Sequence, residues 1–270
     1  MPTSFDAKGK VVIITGAASG IGRGLALRFK ADGARAVIVT DVNEAGVAET
    51  ADMCDGQAFP LDVSDEAATK ALVDRVIAEH GQVDLYFSNA GIGMGDLPDF
   101  TCYAQPTRQI QQCWEVNVLA HFHAARAVLP AMRARGEGAF CITSSAAGLL
   151  SQIGDTVYAT TKHAAVGFAE AMAIAHGHEG IYVGLLCPQA VDTPMVQGHE
   201  TSNAAVIDGI KSVEEVVDFT AIAMREGRFI IRPHDTVAGY QQHKAADYDR
   251  WIGGMRKLRK ALIDANGSPL

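Results

Sequence analysis

The strongest constraint on this chain is a strand–turn–helix signature across residues 11–30. Val11-Val12-Ile13-Ile14 is wholly apolar and β-branched, and Thr15-Gly16-Ala17-Ala18-Ser19-Gly20-Ile21-Gly22 follows directly. Ile21, Leu25, Leu27 and Phe29 then fall on a helix-like pattern. A strand that is apolar at every position has both faces buried, as in parallel sheets covered by helices on both sides. The pattern repeats. Residues 36–39, 58–59, 83–87, 139–143, 181–186 and 229–231 have the character of short strands. Residues 44–52, 65–80, 107–134, 157–175 and 213–225 have the character of helices. Ser64 or Asp65 would cap the 65–80 helix and Gly81 would stop it. Residues 190–212 are polar and irregular enough for a loop with a small helix, and 235–270 is expected to be helical with a loose end.

Regular alternation of strand and helix predicts an α/β fold: a Rossmann-type, doubly wound, seven-stranded parallel sheet with helices on both faces. No Pro-, Gly- or Ser-rich linker, repeat or low-complexity block interrupts the 270 residues, so a single domain is expected.

Composition excludes several classes. With 31 acidic and 23 basic residues the net charge is −8, which is the wrong sign for binding nucleic acid through its phosphates. No run of about 18 apolar residues exists to span a membrane, and residues 1–10 are too polar for a secretory signal. The five cysteines, Cys54, Cys102, Cys113, Cys141 and Cys187, are odd in number and scattered. Free thiols in a reducing cytoplasm are expected. His121/His123 and His176/His178 are i, i+2 pairs on helices and do not face one another, so no metal site is expected.

The glycine-rich turn has a chemical meaning. Glycines between a strand and a helix let the backbone approach a pyrophosphate, and the helix N-terminus offers unpaired N–H groups to the anion. Asp41 closes the second strand, 19 residues beyond Gly22. A carboxylate there accepts hydrogen bonds from the adenosine ribose hydroxyls and repels a 2′-phosphate. Its neighbours Thr40, Val42 and Asn43 are uncharged, as is Ser19. NAD is therefore expected over NADP; capping the next helix is a compatible alternative role for Asp41.

At this point the sequence resembles the short-chain dehydrogenase/reductase family over roughly residues 8–232. The glycine motif has that family's T-G-x-x-x-G-x-G spacing through Gly16, Ser19, Gly20, Ile21 and Gly22. Asp62-Val63 looks like the family's adenine-contacting pair, and Asn89-Ala90-Gly91 like its N-A-G. Asn117 matches the helix asparagine, Ser144-Ser145-Ala146-Ala147-Gly148 follows the fifth strand, and Tyr158-Ala159-Thr160-Thr161-Lys162 is a Y-x-x-x-K. Pro188, Val191 and Thr193 lie in the family's P-G-x-V-x-T segment, where Gln189 replaces the usual glycine.

Tyr158 and Lys162 are four apart and share a helix face. An adjacent ammonium favours the phenolate and is expected to lower the tyrosine pKa toward a useful general acid/base. The resemblance implies that Ser145, 13 residues earlier, holds the substrate oxygen. It also implies that Lys162 bonds the nicotinamide ribose and that Asn117 positions a relay water. It implies carboxamide contacts from Val191 and Thr193, and a homodimer or homotetramer built on helices 107–134 and 157–178. The expected reaction interconverts an alcohol and a ketone with NAD. A carbonyl or 3-ketoacyl reductase is the alternative, and an idle NAD-binding regulator a remote one.

Pocket candidates are Gly93 and Met94, residues 149–153 including Leu149 and Ile153, and residues 189–197 including Gln189 and Met195. Their apolar character favours a hydrophobic secondary alcohol or ketone. The division expected is residues 8–234 as the NAD(P)-binding catalytic domain and 235–270 as a C-terminal helical extension. That extension is basic and amphipathic. It suits a membrane surface, an acidic partner, a cover for the active site, or a solvated face packed on its own or a neighbouring subunit.

Overall fold

A computed structural model describes residues 3–96, 101–196 and 204–267. Its centre is one sheet of seven strands: β1 (Val11–Thr15), β2 (Ala36–Asp41), β3 (Gln57–Pro60), β4 (Leu85–Ser88), β5 (Gly138–Thr143), β6 (Ile181–Leu186) and β7 (Ile230–Ile231). The order is β3-β2-β1-β4-β5-β6-β7 and every pairing is parallel. Sequence order reverses at β1, where Val12 pairs with Val37 on one side and Leu85 on the other. Open α/β sheets bind ligands beyond the strand C-termini at such a reversal.

The two-residue repeat of a strand sends alternate side chains to opposite faces, and here both faces are apolar. Val12 and Ile14 join one core with helices α1 (Gly20–Ala31), α2 (Glu44–Cys54) and α8 (Val213–Arg225). Val11 and Ile13 join the other with α3 (Glu66–His80), α5 (Ala120–Arg135) and α7 (Thr156–His176). Burying one such side chain contributes about 1.5–3 kcal/mol. The helix ends follow local chemistry. Asn43 Oδ1 accepts from Gly46 N at 3.1 Å to cap α2. Asp65, not Ser64, caps α3, and Gly81 ends it with φ +84°.

Two stretches differ from expectation. The helix predicted over 107–134 is α4 (Thr107–Trp114), a π-helical turn (Glu115–Leu119) and then α5. Single π turns recur at functional sites because the extra residue re-aims side chains, and this one carries Asn117. A short helix, α6 (Ala146–Leu149), follows β5 directly, capped by Ser145. The C-terminal stretch forms α9 (Thr236–Ala246) and α10 (Tyr248–Asn266). Val237 anchors α9 in the core, and the buried Lys244 Nζ donates to Leu149 O at 2.9 Å. Among the described residues, no helix is long and apolar enough to cross a membrane.

Candidate active site

The C-terminal ends of β1, β2, β4, β5 and β6 bring the sequence-derived site residues to one edge. Asn89 laces three of those ends together. Its Nδ2 donates to Thr15 O (3.0 Å) and Gly16 O (3.3 Å), and its Oδ1 accepts from Thr143 Oγ1 (2.9 Å). Thr15 Oγ1 in turn accepts from Asn89 N and Ala90 N. Side chains are excluded from the glycine turn by this closeness. A methyl group on Gly16 would lie 2.7 Å from Ala90 Cα, and one on Gly22 would overlap the Gly16 carbonyl. Gly20, at φ +52°, has Thr193 Cγ2 2.9 Å from where its Cβ would be.

These residues fit a dinucleotide. Ser19 precedes α1 in extended backbone without a side-chain capping bond, so the helix's first N–H groups face the turn as an anion site. Asp41 is fixed beside it, accepting from Ala18 N (3.1 Å) through Oδ2 and Asn43 N (3.0 Å) through Oδ1. It does not cap α2, because Asn43 does. Asp62 is exposed and accepts from Ser64, while Val63 is buried beside it.

The catalytic candidates converge below this edge. Tyr158 and Lys162 lie on α7, with Lys162 Nζ 5.4 Å from the tyrosine ring centroid. Lys162 is buried and donates to Thr143 O at 2.9 Å. Ser145 lies near enough to Tyr158 to lower its pKa, and its Oγ accepts from Ala147 N at 3.1 Å and donates to Pro188 O at 3.4 Å. Ser144 turns away to donate to Lys162 O. Asn117 is fully buried, its Oδ1 accepting from Ile92 N (2.9 Å) and its Nδ2 donating to Ile92 O (2.9 Å) and Thr161 Oγ1 (3.0 Å). A Cβ on Gly91 would meet both Lys162 Nζ (3.1 Å) and Asn117 Oδ1 (3.3 Å), so these two polar atoms flank one narrow gap.

The tyrosine pKa moves opposite to the sequence expectation. Burial pushes Tyr158 up to about 12, the Ser145 hydroxyl pulling against it and the Asp155 charge adding to it. Burial also brings the pKa of Lys162 down to about 8. Lys162 is still mostly charged at neutral pH, and its ammonium 5.4 Å from the ring favours the phenolate, but burial outweighs it.

A cavity of about 1310 Å³ opens beside these groups, lined by Ser145, Tyr158 and Gln189 among others. Met94, Ile153 and Met195 also line it, but Leu149 does not. Leu149 packs in the core, and its neighbour Leu150 takes the wall. Gln197 lies outside the described residues. Gln189 points into the wall: Nε2 donates to Asp208 Oδ2 at 3.0 Å, and its backbone N donates to His234 Nδ1 at 3.2 Å. Asp208 also accepts from Thr236 and Tyr240.

Two features escaped the sequence. Asp155 caps α7 at Tyr158 N (3.0 Å) and accepts from Met94 N and Gly95 N (2.9 Å each), fixing the pocket loop to the catalytic helix. Its signal was an Asp three residues before Tyr158, the N-cap pattern. The Asp208–His234 bracing of Gln189 spans distant segments and has no local signal. Among the roles open to the C-terminal extension, a cover for the active site matches its position: α9 and α10 line the cavity through Tyr240, Trp251 and Met255.

A glycine turn closed in by backbone at the reversal of a parallel sheet, joined to a half-buried tyrosine between Ser145 and the buried Lys162, fits a dinucleotide-dependent oxidoreductase. The family model for short chain dehydrogenases matches residues 10–204, and the chain belongs to that family, whose members act on CH–OH groups. It is similar to 1-deoxy-11-beta-hydroxypentalenate dehydrogenase of Streptomyces exfoliatus, 33% identical over 228 residues and covering 82% of each chain. It is 35% identical over 219 residues to human estradiol 17-beta-dehydrogenase 11, covering 78% of this chain and 70% of that one. Among solved structures it is similar to a short chain dehydrogenase/reductase from Burkholderia phymatum in complex with NAD. The TM-score is 0.79 and the identity 28%, over 91% of this chain and 96% of that chain.

Proposed function

We propose that this chain is an NAD-dependent dehydrogenase that interconverts a hydrophobic secondary alcohol and its ketone. The observation that carries this is the placement of Ser145 and Tyr158 in the wall of a large cavity, with Lys162 buried behind the tyrosine. Gly16, Ser19, Gly20, Ile21, Gly22 and Asp41 would hold the adenosine and pyrophosphate side of NAD. Asp62, Val63, Asn89, Ala90 and Gly91 would flank it, and Pro188, Val191 and Thr193 would meet the nicotinamide end. The chemistry of a bound nicotinamide is exchange of a hydride with the alcohol carbon.

The chain's own residues handle the proton. Ser145 Oγ donates to the substrate oxygen and fixes it against Tyr158. Tyr158 Oη takes the hydroxyl proton during oxidation and returns it during reduction. General acid–base help of this kind contributes about 10²–10⁴-fold. Lys162 and Asn117 flank the gap at Gly91 through which a proton leaves toward solvent. Tyr158 accepts a proton only when ionised, and burial holds its pKa up at about 12, so oxidation speeds up as the pH rises. Relatives named for hydroxypentalenate and estradiol support an apolar alcohol substrate.

The domain reading is a catalytic unit at residues 8–234 with a C-terminal extension at 235–270. The proposed assembly is a homodimer or homotetramer, supported by the exposed apolar residues Ile110, Trp114 and Phe122 along α4 and α5. Clean monomer on dilute gel filtration would refute it. The proposed location is the cytoplasm, supported by buried free thiols at Cys54, Cys113, Cys141 and Cys187.

Replacing Tyr158 by Phe tests the mechanism. Turnover should fall at least 10²-fold while NAD titrations stay at wild-type affinity. Turnover above a tenth of wild type would sink the role of Tyr158.

A further inference from the structure

The helix α10 carries a glycine that its own structure does not require. The cavity is lined by Asp247, Arg250, Trp251, Gly254, Met255 and Leu258. The spacing of these residues, i, i+3, i+4, i+7, i+8 and i+11, is one continuous helical face. Gly254 is at its centre. A glycine in a helix interior costs about 1 kcal/mol relative to alanine. Two structural reasons commonly justify that cost, and neither holds here. A Cβ at Gly254 would touch nothing within 4 Å, so no neighbouring group is making a close approach. Nor is its φ positive. What a side chain would take away is cavity volume.

That volume is large. At about 1310 Å³ it exceeds the roughly 300–1,000 Å³ of ordinary small-molecule sites, and it is shared between the nicotinamide end of the cofactor, beside Gly91 and Tyr158, and the substrate toward α10. Leu150, Ile153 and Ile207 face the same space, so the added room is largely apolar. Both helices of this wall lie beyond residues 10–204, the segment the family model matches.

We propose that Gly254 is a specificity-determining position: it opens the pocket to a bulky, fused-ring apolar alcohol whose far end packs against the bare backbone of α10. This rests on the dehydrogenase reading above and names its substrate class. Small secondary alcohols fill only the end near Tyr158 and do not reach Gly254.

The adjacent Gly253 provides the control. It too has nothing within 4 Å of a Cβ, but it does not line the cavity. Gly254→Leu and Gly253→Leu are assayed with NAD against cyclohexanol, decahydro-2-naphthol and estradiol. Gly254→Leu should lower kcat/KM at least tenfold for the two fused-ring alcohols and leave cyclohexanol within twofold. Gly253→Leu should leave all three within twofold. Loss on both variants alike would mean that the glycine pair serves helix flexibility, and loss on neither would mean that the wall is not a substrate contact; each overturns the proposal. The alanine variants replace the leucine ones if circular dichroism shows misfolding, with a threefold loss expected only at 254. If the wild type oxidises none of these alcohols, the dehydrogenase reading has failed separately. Quenching of Trp251 emission by estradiol, in a Trp114→Phe background, then still decides this inference. Estradiol binding at least tenfold weaker in Gly254→Leu alone supports it, and equal binding in both variants contradicts it.

Discussion

The two halves of the site meet at one edge of the sheet and are built on opposite rules. On the dinucleotide side the glycines are closed in by backbone. Gly16 has Ala90 Cα 2.7 Å from its missing methyl, and Gly22 has the Gly16 carbonyl in the way. On the substrate side Gly254 faces empty space. The first half is shaped by main chain, which a fixed motif can encode. The second is shaped by side chains and helices from distant segments, which differ freely without disturbing the sheet. A cofactor common to many reactions suits the first kind of wall, and a substrate particular to one enzyme suits the second.

The same chemical change should therefore have opposite outcomes in the two halves. Gly22→Ala should cost about 1–3 kcal/mol in denaturant melts by overpacking. It should also weaken NAD binding, measured by fluorescence titration, by about tenfold to a hundredfold. Gly254→Ala should cost nothing and add up to about 1 kcal/mol through helix propensity. Similar melts for the two variants would remove the contrast.

Ser145 lies where the halves join, and its loss should act through pH. Tyr158 must be ionised to serve as a base, so the oxidation rate rises with pH until its pKa is passed. The nearby Ser145 hydroxyl is the contribution that lowers that pKa from burial's upward push. Ser145→Ala should therefore move the rising limb of kcat/KM to higher pH and lower neutral-pH turnover by about 10²-fold. A limb that stays in place would show that Ser145 does not tune Tyr158.

A smaller effect is expected at Asp155, which ties the 93–95 loop to the catalytic helix. Asp155→Ala removes an N-cap, costing about 0.5–2 kcal/mol, and frees Met94 N and Gly95 N. An approximately tenfold rise in KM for the alcohol, with unchanged NAD affinity, is the expected steady-state result. Weakened NAD binding would mean that the two halves are not separable there.

What was legible in the sequence follows the same division. The doubly wound sheet could be read because strands such as Val11 to Ile14 lack polar alternation, so both faces are buried, and helical patterns recur between them. The glycine turn, Asp41 and the Tyr158–Lys162 spacing were legible because backbone approach and helical periodicity constrain residues that lie near one another. The π turn at Asn117 was not, since an extra residue per turn leaves no compositional mark. Leu149 and Leu150 were indistinguishable by type, and only the short helix after β5 decides which one faces the cavity. The raised pKa of Tyr158 was also hidden. A Y-x-x-x-K motif reveals a nearby ammonium but not the burial that outweighs it. A cover for the active site was one of several roles the amphipathic pattern of α10 allowed; choosing among them depends on how the chain returns across the sheet, which no local pattern specifies.

The most direct test of the account is nicotinamide absorbance followed as the wild-type protein is given NAD and a series of apolar secondary alcohols. The account predicts reduction of NAD, faster at alkaline pH and markedly poorer with NADP, because Asp41 opposes a 2′-phosphate. No reduction with any alcohol, or a preference for NADP, would contradict it.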